Sequence, residues 1–304
     1  MKRLLCIFYI FIFMITFCSC KNKNKNNSSG FTSSGSVSTE INSATSSLSL
    51  SSETSSILLS SQVINSEIPA ISNEFLQSLD NKKQGWGPGK TVNHSRPSSP
   101  VSYQNKYGKY DASFIGKDEK IIYLTFDEGY ENGYTASILD SLKEKNVSAV
   151  FFVTYPYAKQ NPQLIKRMID EGHIVGNHSV NHPSFPTVNI EKAKNEIMVL
   201  HDYIKEQFNY EMDLFRFPMG EYSEQMLALV QSLGYKSVFW SFAYVDWDVK
   251  NQIGADKAFD IVTSSTHNGA IYLLHAVSKD NAEILGRVID DIRNQGYTIS
   301  KYDI

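Results

Sequence analysis

A parallel (β/α) barrel of the α/β class, preceded by a disordered tether, is the fold this sequence predicts, on three observations. From about residue 119 onward, short apolar runs alternate with amphipathic stretches in a βαβα order, which implies a parallel sheet with helical crossovers. The number of such units suits a barrel better than a short open sheet. Ionisable residues gather at the C-terminal ends of the apolar runs, where barrels of this kind place their active sites.

The chain starts with "MKRLLCIFYIFIFMITFCSC", two basic residues followed by an apolar stretch and then small residues. That pattern is a secretory signal over residues 1–20 and not a fold element. It also resembles a bacterial lipoprotein signal, which would place a lipid on Cys20 after cleavage; an uncleaved N-terminal membrane anchor is the alternative. Either way the body is exported and works outside the cytoplasmic membrane, lipid-anchored there or released to the cell wall. All three cysteines, Cys6, Cys18 and Cys20, lie in this segment. The exported body therefore has no disulfide and no thiol nucleophile, and any metal must be held by His, Asp or Glu. Net charge is −3 and no long basic tract occurs, so nothing points to nucleic acid.

Residues 21–66 are rich in Ser, Thr and Asn with few large apolar side chains, a composition that cannot offset its ordering entropy. Residues 67–118 form an extension that packs on the barrel: "IPAISNEFLQSL" reads as a short helix, and "GWGPGKTVNHSRPSSP" as loop. The domain proper spans 119–304. "KIIYLTF" is its first strand and "NGYTASILDSLKEKN" a helix with Ile138, Leu139 and Leu142 on one face. "VSAVFFVT" is the next strand. "NPQLIKRMIDEG" is a helix with Asn161 as cap and Pro162 at its first position. Then follow strand "HIVGNHS", the long helix "IEKAKNEIMVLHDYIKEQF", strand "LFRF", helix "SEQMLALVQSLG", strand "YKSVFWSF", helix "GADKAFDIVTSST" and strand "GAIYLLH". "NAEILGRVIDDIRNQG" and "YTIS" close the series.

The strand ends deliver Asp127 and Glu128, then His178 and His182, then Arg216, then Asp246 and Trp247, and finally His275. In a regular strand Asp127 and Glu128 point to opposite faces, so they converge only if the strand stops and the chain bends at Gly129. The alternative is an acidic turn that caps the next helix. His178 and His182 are four apart, close enough on one turn to reach one ion, although Pro183 disfavours helical geometry at His182. Two histidines and a carboxylate make a catalytic zinc set with an open position for water. His201 and His94 have no such company and read as solvated. Single residues keep plainer alternatives: Arg216 and Asp246 as a structural ion pair, and Trp247 as core.

Residues 119–304 resemble the polysaccharide deacetylase (NodB-homology) family of carbohydrate esterases. The motifs that carry the resemblance are "TFDEG", "HSVNH", "RFPMG", "AYVDW" and "LLH", in that order. More narrowly, "TFDEGYENGYT", "FWSFAYVDW", "LLHAVSKDNAEIL" and the "GWGPG…KYGKYDASFIG" lead-in look like the delta-lactam-biosynthetic de-N-acetylases of spore peptidoglycan. The resemblance implies a distorted (β/α) barrel and a metal-dependent N-deacetylase. By it, Asp127 is the base, His178 and His182 are metal ligands, and His275 is the general acid tuned by Asp246. Arg216 pairs with the base or lines the groove. Pro218, Met219 and Gly220 support substrate binding, with the Met219 N–H meeting the oxyanion, and Leu273 with Trp247 forms the acetyl pocket. Glu128 stands where the family has a second, metal-binding Asp, and is expected to reach the ion loosely or through a water. Ala243 replaces the first Asp of D-x-x-D-W. The implied cofactor is a divalent metal, zinc first. The implied substrate is muramic acid in peptidoglycan strands after a partner amidase has removed the stem peptide, with Arg216 or Lys279 offering a cation to the lactyl carboxyl. Deacetylation of another glycan, or glycan binding without catalysis, are the competing readings.

Overall fold

The computed structural model describes residues 72–304; the signal, Cys20 and the tether lie outside the described residues. Among the described residues no helix is long and apolar enough to cross a membrane.

The "KIIYLTF" run forms the strand Ile121–Glu128, whose side chains are buried on both faces from Ile122 onward. A parallel strand covered by helices outside and packed side chains inside has this pattern. It pairs with Val150–Val153 on one side and Ala270–His275 on the other, both parallel. Across the sheet the order is Ala112–Ser113, Lys236–Val238, Leu214–Phe215, Ile174–Asn177, Val150–Val153, Ile121–Glu128, Ala270–His275 and Phe242–Ala243. Thr298–Ile299 pairs with the start of the Ile121–Glu128 strand.

The expected single strand "YKSVFWSF" splits in two. Lys236–Val238 pairs with Leu214–Phe215, and Phe242–Ala243 pairs with Tyr272–Leu273. Between them, Phe239 N donates to Ser113 O at 2.8 Å and Ser241 N to Ile271 O at 2.9 Å. One chain segment thus hydrogen-bonds to both flanks of the curled sheet and draws it into a distorted barrel.

Helices cover the outside, most with one apolar stripe, while Glu224–Ser232 is buried nearly all round from Gln225 to Val230. The longest, Ile190–Phe208, buries Ala193, Ile197, Leu200 and Ile204, the three-and-four spacing of a single face. Side-chain caps start several of them: Asn189 accepts from Lys192 N, Ser223 from Met226 N, and Ser278 from Asn281 N. Each such cap contributes about 1 kcal/mol. Asn161 does not cap in this way. Its amide donates to Tyr157 O instead, because an unforeseen helix, Tyr155–Gln160, ends there.

The extension is more ordered and more central than a loop. A helix, Asn73–Ser78, follows the Ser72 cap, and a second, Ser98–Tyr107, begins inside the stretch read as loop. Gln84–Gly85 pairs antiparallel with Glu221–Tyr222. Trp86 is buried and its Nε1–H donates to Trp240 O at 2.9 Å, while Phe114 stacks on Phe239 at 4.2 Å. Ala112–Ser113 joins the sheet itself, so a boundary at residue 119 cuts through one core.

Candidate active site

The C-terminal strand ends open into a cleft of about 580 Å³. Asp127, His178, His182, Met219, Gly220, Trp247, Leu273 and His275 line it, as the sequence predicts. Gly129, Tyr130, Trp240, Ala243, Tyr244 and Val277 line it as well and were not foreseen as site residues. Within "FWSFAYVDW" only Phe242–Ala243 is strand, and the lining residues Trp240, Ala243, Tyr244 and Trp247 follow no two-residue alternation that could have marked them. Trp247 is 57 % exposed at the rim, which rules out the core alternative.

Asp127 and His275 are Cα partners in the register of two adjacent strands, so both side chains leave the sheet on the same face. Asp127 is buried, and burial alone would raise its pKa. The charges of Arg216, His178 and His275 outweigh that and hold it below the ordinary carboxylate range. Arg216 Nη1 donates to Asp127 Oδ1 at 2.8 Å. The guanidinium is wholly buried, and its Nε and Nη2 donate to Val238 O at 2.9 Å and Phe239 O at 3.3 Å. Arg216 therefore pairs with the proposed base and does not line the groove, nor is it available to a lactyl carboxyl. Lys279 is exposed and lies outside the cleft lining, which among the described residues contains no Lys or Arg.

Asp246 is buried and accepts from His275 Nδ1 at 2.7 Å. Desolvation works against charge on His275, but the Asp246 carboxylate, by charge and hydrogen bond, and then Asp127 raise its pKa above the ordinary histidine value. Arg216 and Asp246 are thus partners of different residues and not of each other. The turn Pro218–Gly220 places Met219, 53 % exposed, at the mouth with a left-handed φ of 58°. Pro218 is buried. Gly220 follows at φ 64°, and a Cβ there would meet Trp240 Cη2 at 2.8 Å, so only glycine fits the turn.

His178 Nδ1 lies 2.9 Å from the Arg216 carbonyl, an acceptor only, so Nδ1 carries the proton and Nε2 a bare lone pair. That Nε2 faces Asp127 Oδ2 at 3.5 Å. Two acceptors face each other there, an arrangement suited to a cation between or beside them. Burial, partly offset by Asp127, lowers the His178 pKa to about 4, leaving the ring neutral as a metal ligand must be. The His182 ring is 4.8 Å away, at the exposed rim. The two histidines fit a divalent ion.

Glu128 does not. The strand pairing continues through both residues, Asp127 with Phe152 and Glu128 with Val153, so their side chains alternate and the expected convergence does not occur. Glu128 is absent from the cleft lining and wholly buried, and neither carboxyl oxygen has a hydrogen-bond partner. Burial, then the Glu131 and Asp127 charges, push its pKa well above the ordinary range. Among the described residues no three His, Cys, Asp or Glu side chains form a complete metal cluster. His94 and His201 also lie away from the site: His94 bonds Thr266, and His201, half-buried and not simply solvated, lies 2.6 Å from the Tyr235 hydroxyl.

Fold and cleft together define a hydrolase of the carbohydrate esterase type, and the chain belongs to the polysaccharide deacetylase family, whose family model matches residues 115–238. The peptidoglycan-N-acetylmuramic acid deacetylase PdaA of Bacillus subtilis is 44 % identical over 229 residues, 75 % of this chain and 87 % of that one. Its solved structure, described as a family 4 carbohydrate esterase, matches with a TM-score of 0.71 over 73 % of this chain and 96 % of that chain. A peptidoglycan-N-acetylglucosamine deacetylase of Bacillus cereus is 30 % identical over 65 % of this chain and 72 % of its own.

Proposed function

We infer that this protein removes the N-acetyl group of muramic acid in peptidoglycan. The observation that carries the chemistry is the cross-strand pair Asp127 and His275, which share one cleft and have opposite pKa shifts. A lowered carboxylate and a raised imidazole are a base and an acid both in their working forms near neutral pH. The choice of sugar rests on the likeness to PdaA.

By the family resemblance His178 and His182 would hold a divalent ion, zinc first, which would supply an activated water and polarise the amide carbonyl. Asp127, fixed by Arg216, takes a proton from the attacking water. The C–N bond of the acetamide breaks, and His275 delivers its proton to the departing nitrogen, giving acetate and a free amine. Positioned acid and base groups of this kind typically contribute ~10²–10⁴-fold each. The Met219 N–H at the exposed turn stands as the oxyanion donor, and Leu273 and Trp247 hold the acetyl methyl.

The freed amine can attack its own lactyl carboxyl once that carboxyl is activated, which yields the muramic delta-lactam. Strands whose stem peptide an amidase has removed are the preferred substrate, and the signal-like start with Cys20 sets the protein on the outer face of the membrane. Mass spectrometry of muropeptides after incubation with the full-length protein tests the assignment. Loss of one acetyl from muramic acid is expected. Loss from N-acetylglucosamine, or no loss, overturns it.

A further inference from the structure

The hydrogen bonds behind His275 extend beyond Asp246 to a neutral amide. Asp246 Oδ1 accepts from His275 Nδ1 at 2.7 Å, and its Oδ2 accepts from the His275 backbone N–H at 2.8 Å. Asn281 Nδ2 donates to that same Oδ2 at 2.6 Å and to the His275 carbonyl at 3.2 Å. The Tyr244 hydroxyl donates to Asn281 Oδ1 at 2.5 Å. Asn281 is 2 % exposed and Asp246 1 %, so no water competes for these groups.

The amide orientation follows from its partners. A carboxylate and a carbonyl only accept, so the Asn281 nitrogen must face them and its oxygen must face the hydroxyl. Helix capping does not explain the side chain. Asn281 sits in the first turn of the helix Lys279–Asn294, and it is its backbone N–H that Ser278 Oγ caps, a bond independent of the side chain.

We propose that Asn281, itself held by Tyr244, is a positioning residue that locks the Asp246 carboxylate and, through it, the ring of His275. This rests on the reading of His275 as the proton donor of the deacetylase. With three donors on two oxygens, the carboxylate cannot rotate, and the His275 ring keeps its Nδ1 on Asp246 and its Nε2 toward the cleft. A neutral donor does this without cancelling the negative charge that raises the His275 pKa. Besides Asp246, the charged and titratable groups facing His275 are Asp127, Arg216 and His182. Tyr244 also lines the cleft, so one side chain serves both as substrate-facing wall and as the far anchor of this chain of bonds.

The test uses full-length protein and two readouts, the Nδ1–H resonance and titration of His275 by NMR, and acetate release. Asn281→Ala is expected to lose the slowly exchanging Nδ1–H signal and to move the His275 midpoint down toward the ordinary value. Its kcat should fall about 10²-fold, the scale of a small misplacement of a reacting group, with KM little changed. Tyr244→Phe should shift all three in the same direction by less, and it decides the matter should Asn281→Ala not fold. An unchanged resonance and midpoint in the folded variants overturns the proposal. Should the wild type release no acetate, the deacetylase reading fails, while the NMR readout still judges the positioning.

Discussion

Asp127 and Glu128 are neighbours in sequence and opposites in environment. One carboxylate has a guanidinium at 2.8 Å, and the other has two buried oxygens with no partner. Asp127→Asn and His275→Ala should each abolish acetate release with a native circular dichroism spectrum, and Asp127→Asn, which removes the charge partner of buried Arg216, should also lower stability. A near-wild-type rate in either variant sinks the acid–base assignment. Glu128→Gln should leave divalent metal affinity unchanged in calorimetry, because the side chain points away from His178 and His182. It should also change how stability depends on pH. The raised pKa of Glu128 means the folded state keeps a proton that the unfolded chain releases. Stability of the wild type therefore drops as pH rises from the ordinary glutamate range toward the raised value, and the Gln variant lacks that drop. Denaturant unfolding across that range checks it, and parallel curves would count against it. The identity of the site residues was legible in the sequence because ionisable groups at the ends of apolar runs are conspicuous. The direction in which Glu128 points was not. Whether a strand stops at Asp127 or runs on through Glu128 depends on the neighbouring Val150–Val153 strand, which no local pattern encodes.

At the scale of elements, the long amphipathic helix Ile190–Phe208 was readable to the residue because its apolar stripe is a local signal. The split of "YKSVFWSF" was not readable, since continuous β-propensity runs through a stretch that changes partners midway. The helix Ser98–Tyr107 was hidden by its flanking prolines and serines, and it is the aromatic packing of Trp86, Tyr103 and Phe114 that fixes it. The Pro218–Gly220 turn is the element most exposed to a single substitution. Gly220→Ala should destabilise by about 1–2 kcal/mol from its left-handed backbone alone. The added methyl must also displace Trp240 and reshape the cleft wall. Chemical denaturation and KM measured together are the check, and wild-type values for both would refute the account.

For the molecule as a whole, the cleft is lined by aromatic and aliphatic side chains with three histidines and one carboxylate, and by no lysine or arginine among the described residues. Selectivity must then come from shape and from neutral contacts with the sugar ring and its acetyl group. Peptidoglycan strands freed of stem peptides should be deacetylated faster than chitin oligomers, measured as acetate release at matched sugar concentration. Faster reaction on chitin oligomers would point to the N-acetylglucosamine reading. The extension belongs to this scale too. Its Ala112–Ser113 strand and Trp86 are parts of the same core, so the cleft is a property of residues 72–304 together.

Arg216 has a consequence for when the molecule becomes reactive. Its guanidinium is spent on two carbonyls of the bridging segment and on Asp127, and its own carbonyl sets the tautomer of His178. None of these four bonds exists until segments far apart in the chain have met, the last of them nearly at residue 240. A newly made or clipped chain therefore carries a floppy, ordinary aspartate and an unassigned imidazole. Hydrolytic competence therefore belongs to the assembled sheet: a fragment ending before Val238 would hold both the "TFDEG" and "HSVNH" stretches without the bonds that ready them.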